Sequence, residues 1–162
     1  MKGLFKPSRP VIENARPEDA AALAEIHEYS FPRGWTAEEM RRFIGAFPTV
    51  QPLVLRVRSM AKLGAAGFVI VRVAAGESEI LTLAVRPTNR GRGYGRLLME
   101  EAARRAYHDR AETMFLEVDE SNRHAVALYL SLGFETVGSR SRYYEDTGGG
   151  QGTALVMRRF LR

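Results

Sequence analysis

The chain has 162 residues, a formal net charge of +5 and no cysteine. That length suits one domain with a sizeable core and is short for two, while the lack of cysteine excludes disulfides, thiolate metal sites and a cysteine nucleophile, as suits a reducing cytoplasm. No apolar run approaches a membrane span and MKGLFKPSRP lacks the apolar stretch of a signal peptide, so a soluble cytoplasmic protein with no membrane partner is expected.

Residues 1–10, with two prolines, read as a flexible arm ahead of a single domain over 11–162. Val11 to Asn14 reads as a short strand. Pro17 suits the first turn of a helix, where its missing N–H costs nothing, and Ala20, Leu23, Ala24, Ile26 and His27 carry that helix to Phe31-Pro32. Thr36 with Glu39 is a capping box for a second helix reaching about Ile44, and Pro48 prevents its continuation. Leu53 to Arg58, Ala65 to Val73 and Glu79 to Val85 read as strands, separated by turn-like MAKLG and AAGES; such short separations favour antiparallel neighbours.

After LTLAV comes RGRGYG, Arg90 to Gly95, then a long helix with Leu98, Ala102 and Ala106 on one face. Thr113 to Val118 is a further strand and Asn122 to Leu132 a helix that Gly133 stops. Glu135 to Tyr144 and Ala154 to Phe160 read as two strands joined across the flexible EDTGGGQGT. The order β-α-α-β-β-β-α-β-α-β-β predicts a mixed α/β (α+β) fold.

Strand, glycine turn and helix start together make an anion-binding arrangement. Glycines let the backbone approach a ligand, and the unpaired N–H groups of a helix N-terminus point at negative charge. The glycines at 91, 93 and 95 have neither the P-loop pattern nor the dinucleotide spacing, so the motif alone also allows a plain structural turn. The other arginine clusters, such as Arg104 to Arg110 and Arg158 to Arg162, read as solvated surface, and nucleic acid is not the expected partner.

Glu117 shares a strand face with Phe115, opposite Met114, Leu116 and Val118. A carboxylate partly desolvated there has a raised pKa and suits a general base; an outward-facing Glu beside Asp119 and Glu120 is the other reading. Tyr129 sits with Ala125, Val126 and Leu132 on an apolar helix face, either as a core tyrosine bonded to backbone or as a general acid. Asn122 is most simply a helix cap. His27, His108 and His124 lack metal-ligand spacing and are expected to be non-catalytic, with no metal required. Of the adjacent Tyr143 and Tyr144, one can line a pocket while the other packs.

LTLAVRPTNRGRGYGRLLMEE resembles the acetyl-coenzyme A signature of the GNAT superfamily of N-acetyltransferases, with Arg90, Gly93 and Gly95 at its key positions. LEVDESNRHAVALYLSLGFE resembles the second half of that signature through Glu117, Asn122, Tyr129, Gly133 and Phe134, and L-E-V with Asn, Leu-Tyr and a later Tyr-Tyr is most similar to the RimI-type protein N-terminal alanine acetyltransferases. The resemblance implies a GNAT-like single domain, a mostly antiparallel mixed sheet of seven strands flanked by four helices. It implies acetyl-CoA as co-substrate, held by the backbone of Leu83, Ala84 and Val85 and by Arg90, Gly91, Arg92, Gly93, Tyr94, Gly95 and Arg96, with Asn122 and Tyr129 on the cofactor side. Glu117 is implied as base, through water, and Tyr129 as acid toward the departing thiolate. Trp35, Tyr143 and Tyr144 are the expected acceptor-side residues. An amine attacks the thioester directly, so no nucleophilic side chain is required.

Two segments depart from that pattern. FPRGWTAEE carries Arg33-Gly34 before Trp35, and Gly152-Thr153 stands where an acidic pair usually precedes the last strand. The expected activity is acetyl transfer to a primary amine, a protein or peptide N-terminus, by a monomer or homodimer. The alternatives are a polyamine, aminoglycoside or amino-acid acceptor, or a non-catalytic module binding acetyl-CoA or RNA.

Overall fold

The computed structural model describes residues 9–59, 62–144 and 150–162, with residues 59, 142–144 and 150–151 as strand backbone only. Residues 1–8, most of the expected flexible arm, and 145–149, the first part of the expected glycine-rich loop, lie outside the described residues.

The elements are β1 (Val11–Asn14), a 3-10 turn (Pro17–Asp19), α1 (Ala20–Ser30), α2 (Ala37–Gly45), β2 (Val50–Ser59), β3 (Lys62–Ala74), β4 (Glu77–Val85), a second 3-10 turn (Pro87–Asn89), α3 (Tyr94–His108), β5 (Thr113–Asp119), α4 (Arg123–Ser131), β6 (Glu135–Tyr144) and β7 (Gly150–Phe160). They occur in the expected order. The strands form one sheet in the order β1-β2-β3-β4-β5-β7-β6. β1 pairs antiparallel with β2, and β7 pairs antiparallel with both β5 and β6. β4 and β5 are parallel, in register over Glu77–Ile80 and Thr113–Leu116, because α3 provides the crossover between them.

Four strands begin earlier than the sequence suggests, β4 by two residues, at Glu77. β2 starts at Val50 and includes Pro52, just outside the β1 register that begins at Leu53, so its missing N–H costs no bond there; its carbonyl accepts from Ala15 N at 2.9 Å. β3 includes Lys62–Gly64, read above as part of a turn. β7 takes in Gly150 to Thr153, read above as loop; Gly152 and Thr153 pair with Arg142 and Ser141, and backbone pairing is indifferent to the missing side chains. The β3–β4 connection is two residues, Ala75 and Gly76, at φ 52° and 78°. Positive φ at both positions is the signature of a type I′ hairpin turn and sets the two strands antiparallel, as their short separation predicts.

The packing divides into two compact units. One comprises the chain to Ile70 with Leu83–Glu101, the other Val71–Thr82 with Ala102–Arg162. In the first, Leu23, Ile26, Met40, Leu53, Leu55, Phe68 and Leu98 are fully buried. Arg56 is its polar clasp. Its guanidinium donates from both terminal nitrogens to Asp19, at 2.9 and 2.8 Å, and from Nε to Glu13 at 2.6 Å. Within the same unit the backbone of Gly67 lies so close to β4 that an added Cβ would stand 2.9 Å from the Ala84 carbonyl oxygen and 3.3 Å from Leu98 Cδ1. Gly67→Ala therefore forces β3 and β4 apart. Overpacking of this kind costs about 1–3 kcal/mol, and urea unfolding of the variant is expected to show that loss.

The second unit is built on β5. Met114, Leu116 and Val118 are buried while Phe115 and Glu117 are only partly so, the alternation expected of a strand with one face fully covered. Met157 and Ala154 of β7 and Phe134 complete its interior.

Candidate active site

The glycine turn lies in the first unit. Gly91 and Gly93 take φ of 77° and 80°, the left-handed region that glycine enters without steric cost, and a Cβ on either would meet nothing within 4 Å. Leu97 N donates to Gly93 O at 3.1 Å and so begins the helical ladder. The backbone amides of Gly91 to Gly95 donate to no backbone carbonyl among the described residues. Open backbone, left-handed glycines and unpaired amides at the start of a 15-residue helix suit a phosphate. The chain thus fits the pyrophosphate of acetyl-CoA at this turn.

Arg90 belongs to the bracket that holds the turn. Its Nε donates to Val85 O at 3.2 Å and its Nη2 to Ser30 Oγ at 3.1 Å, tying the turn to the end of β4 and the end of α1. Arg86 fastens the same strand end, with its N on Ala66 O at 2.7 Å, Nε on Ala65 O at 2.8 Å and Nη1 on Glu25 Oε1 at 2.8 Å. Leu83, Ala84 and Val85, the residues expected to offer backbone to pantetheine, form the last three positions of β4. Arg92, Tyr94 and Arg96 follow through the turn, with Arg92 exposed and the other two half-buried.

Trp35 is packed against neighbouring rings. The His27 ring lies between Phe31 and Trp35, with centroids at 4.3 and 4.5 Å, and Trp35 also meets Phe43 at 4.9 Å. His27 Nδ1 accepts from Trp35 N at 3.0 Å, which leaves the ring proton on Nε2. Thr36 then caps α2 through the expected box: Glu39 N donates to Thr36 Oγ1 at 3.1 Å and Thr36 N to Glu39 Oε2 at 2.7 Å. Trp35 borders a cleft of roughly 440 Å³ whose walls also include Ala21, Ala24, Glu25, Glu28 and Thr36. His27 is held in an aromatic stack, a place that was not legible from spacing.

That stack makes folding acid-sensitive. Burial pushes the His27 pKa down to about 4 from 6.5, against a smaller opposing pull from the Glu39 carboxylate. Between those values the unfolded chain binds a proton that the folded chain refuses, so stability falls as pH drops through the window and is level on either side of it. The window spans roughly 2.5 pH units at about 1.4 kcal/mol each, so the loss is at most ~3.5 kcal/mol. Urea midpoints from pH 7 to pH 4 are expected to fall in the wild type, with a smaller slope in His27→Phe.

Glu117, Asn122 and Tyr129 belong to the second unit. Glu117 stands opposite Val156 of β7, half-buried, and its Oε1 lies 3.3 Å from Arg140 Nε on β6. Asn122 Oδ1 accepts from Ala125 N at 3.2 Å and caps α4, so its side-chain oxygen has the predicted local role.

Tyr129 is fixed by the end of its helix. Gly133, at φ 89°, follows the C-cap Leu132; Phe134 N donates to Tyr129 O and Gly133 N to Leu130 O, both at 3.1 Å. This is a Schellman closure, and the apolar contact that accompanies such closures is Tyr129 against Phe134, edge-on at 5.9 Å. The Tyr129 ring is 7% exposed, and burial pushes its pKa up to about 12. Its hydroxyl therefore keeps its proton at neutral pH and can act as a donor.

Tyr143 and Tyr144 are in β6, paired with Gln151 and Gly150; their side chains lie outside the described residues. Sequence reasoning passed over Arg140 and Gly67. The first was one of many surface arginines, and the second carried a signal, a glycine inside an apolar strand. Among the described residues no three His, Cys, Asp or Glu side chains gather to hold a metal ion, and no helix is long and apolar enough to cross a membrane.

Residues 18–134 match the Acetyltransferase (GNAT) family. The chain is 36% identical over 95 residues to a [ribosomal protein bS18]-alanine N-acetyltransferase of Haemophilus influenzae, a match covering 59% of this chain and 64% of that protein, short of two thirds of its length. It is 28% identical over 141 residues to a putative enzyme of the same name from Bacillus subtilis, covering 87% of this chain and 91% of that one. The crystal structure of the ribosomal-protein-S18-alanine N-acetyltransferase from Escherichia coli superposes with a TM-score of 0.81 at 27% identity, over 94% of each chain. With the family matched across most of its length and the α+β architecture shared, the chain belongs to the GNAT family of acetyltransferases.

Proposed function

We propose that this chain transfers the acetyl group of acetyl-CoA to the N-terminal amine of a protein or peptide. The glycine turn carries the reading: left-handed glycines, and amides that donate to no backbone carbonyl among the described residues, open a long helix inside the span that matches the family. Bound there, acetyl-CoA supplies an activated thioester. The amides of Gly91 to Arg96 bind the diphosphate, and the end of β4 from Leu83 to Val85 holds the pantetheine arm by its backbone. Asn122 is assigned to the cofactor side by the family resemblance. Glu117, through a water, takes the proton that the amine loses as its N–C bond forms. Tyr129 gives its proton to the sulfur as the C–S bond breaks. Each needs the protonation state assigned to it, a carboxylate and a neutral phenol.

The acceptor is an N-terminal alanine, by similarity to the relatives named above. Trp35, Tyr143 and Tyr144 are the residues that the family resemblance assigns to the acceptor side. The Arg33-Gly34 insertion before Trp35 and the glycines of β7 favour a second reading, a small-molecule amine, because they alter the segments that would hold a peptide. Thiol release from acetyl-CoA separates the two. Release with alanine-terminated peptides supports the first reading, and release with polyamines or aminoglycosides alone transfers the activity to the second. Calorimetric binding of acetyl-CoA without release on any amine would reduce the chain to a binding module.

A further inference from the structure

We propose that Arg140 is a positioning residue that holds the Glu117 carboxylate for proton transfer. This rests on the reading of Glu117 as the base. Two independent features place Arg140 there. The first is the contact, Nε to Oε1 at 3.3 Å across the intervening strand β7.

The second is a bulge in β6. Thr136 is level with Met157, but Gly138, two residues on, is level with Val156, one residue back along β7, so Val137 is an insertion. Side chains alternate along a strand, so one inserted residue transfers everything after it to the other face. Without the bulge Ser139 would share the face of Glu117, and Arg140 would point away. With it, Arg140 is level with Ala154 and hence with Asp119, one step beyond Glu117 on the same face. The β6 residue level with Glu117 itself is Gly138, whose missing side chain leaves that face open for the arm of Arg140 to lean back.

The pair is ill suited to stabilising the fold. The Arg140 side chain is 71% exposed against 26% for Glu117, and a pair so open to water contributes little to folding. It can nevertheless restrict the carboxylate to one orientation, which a base needs if its oxygen is to meet the proton.

The test is a double-mutant cycle on kcat, with the KM for acetyl-CoA and the thermal midpoint followed alongside. Arg140→Gln is expected to lower kcat about tenfold while KM and midpoint hold, and Arg140→Lys, which keeps the charge, to recover most of that loss. In the Glu117→Gln background, Arg140→Gln is expected to cost nothing more, because its effect passes through the carboxylate. If Glu117→Gln is slow but Arg140→Gln turns over at the wild-type rate, or the two losses multiply, the role of Arg140 is overturned and the base survives. A wild-type rate in Glu117→Gln would remove the base, and this role with it.

Discussion

Glu117→Gln is expected to lower kcat by about 10²-fold to 10⁴-fold, the contribution of a positioned general base, while the affinity for acetyl-CoA stays within about twofold of wild type. The replacement has the shape of the original, and the ion pair it breaks with Arg140 is with an exposed guanidinium. Such pairs are worth ~1 kcal/mol or less, so the thermal midpoint moves by no more than about 4 °C. Loss of rate in a folded protein that still binds cofactor is the required signature. Tyr129→Phe completes the comparison. With its pKa pushed up to about 12, the phenol stays protonated across the range in which the enzyme can be assayed, so Tyr129 adds no alkaline decline of its own. Its loss appears instead as a lower kcat at every pH. Stopped-time thiol release with a fixed peptide acceptor, beside calorimetric titration with acetyl-CoA, provides both measurements. Wild-type turnover in both variants would remove the two roles together.

The residues that sequence reasoning placed well are those whose signals are local. Thr36 and Glu39 form their box because the two bonds close within one helical turn. Gly133 stops α4 because a left-handed residue is needed there, and the same closure sets the ring of Tyr129 against Phe134. The left-handed glycines before α3 were legible for similar reasons, since φ and helix position follow from a few consecutive residues. Arg140 was not. It meets Glu117 only because β7 separates their strands by one place and a bulge sets the face, and neither the strand order nor the bulge is written in any short window. The starts of β2, β3 and β7 were missed for a related reason: Pro52, Gly64 and Gly152 look like loop residues by propensity, although Gly152 pairs with Arg142 of β6.

Arg56→Ala is expected to destabilise the protein by about 3–5 kcal/mol, the cost of leaving partners of a buried ion pair uncompensated. For a domain of this size that lowers the thermal midpoint by roughly 10 °C. The expectation rests on burial and geometry together. Arg56 and Asp19 are each only 12% exposed in their side chains, and the guanidinium meets the carboxylate with both terminal nitrogens while Nε holds Glu13. One side chain on β2 thereby fastens β1 and the turn that starts α1. Lysine supplies the charge without the planar fork, so Arg56→Lys is expected to recover only part of the loss. Acid titration gives an independent check. Burial alone would raise the pKa of Asp19, but the hydrogen bonds from Arg56 and from Arg16 N outweigh it and hold the carboxyl below its usual 3.8. The stabilisation from this pairing is therefore complete above that value and fades as pH falls beneath it. The His27 contribution changes at higher pH, between about 4 and 6.5, so the two acid losses separate along the titration. In Arg56→Ala the step below pH 4 is expected to shrink while the His27 step persists. A variant that unfolds within 1 kcal/mol of wild type, with both steps intact, would show that the clasp contributes little despite its burial.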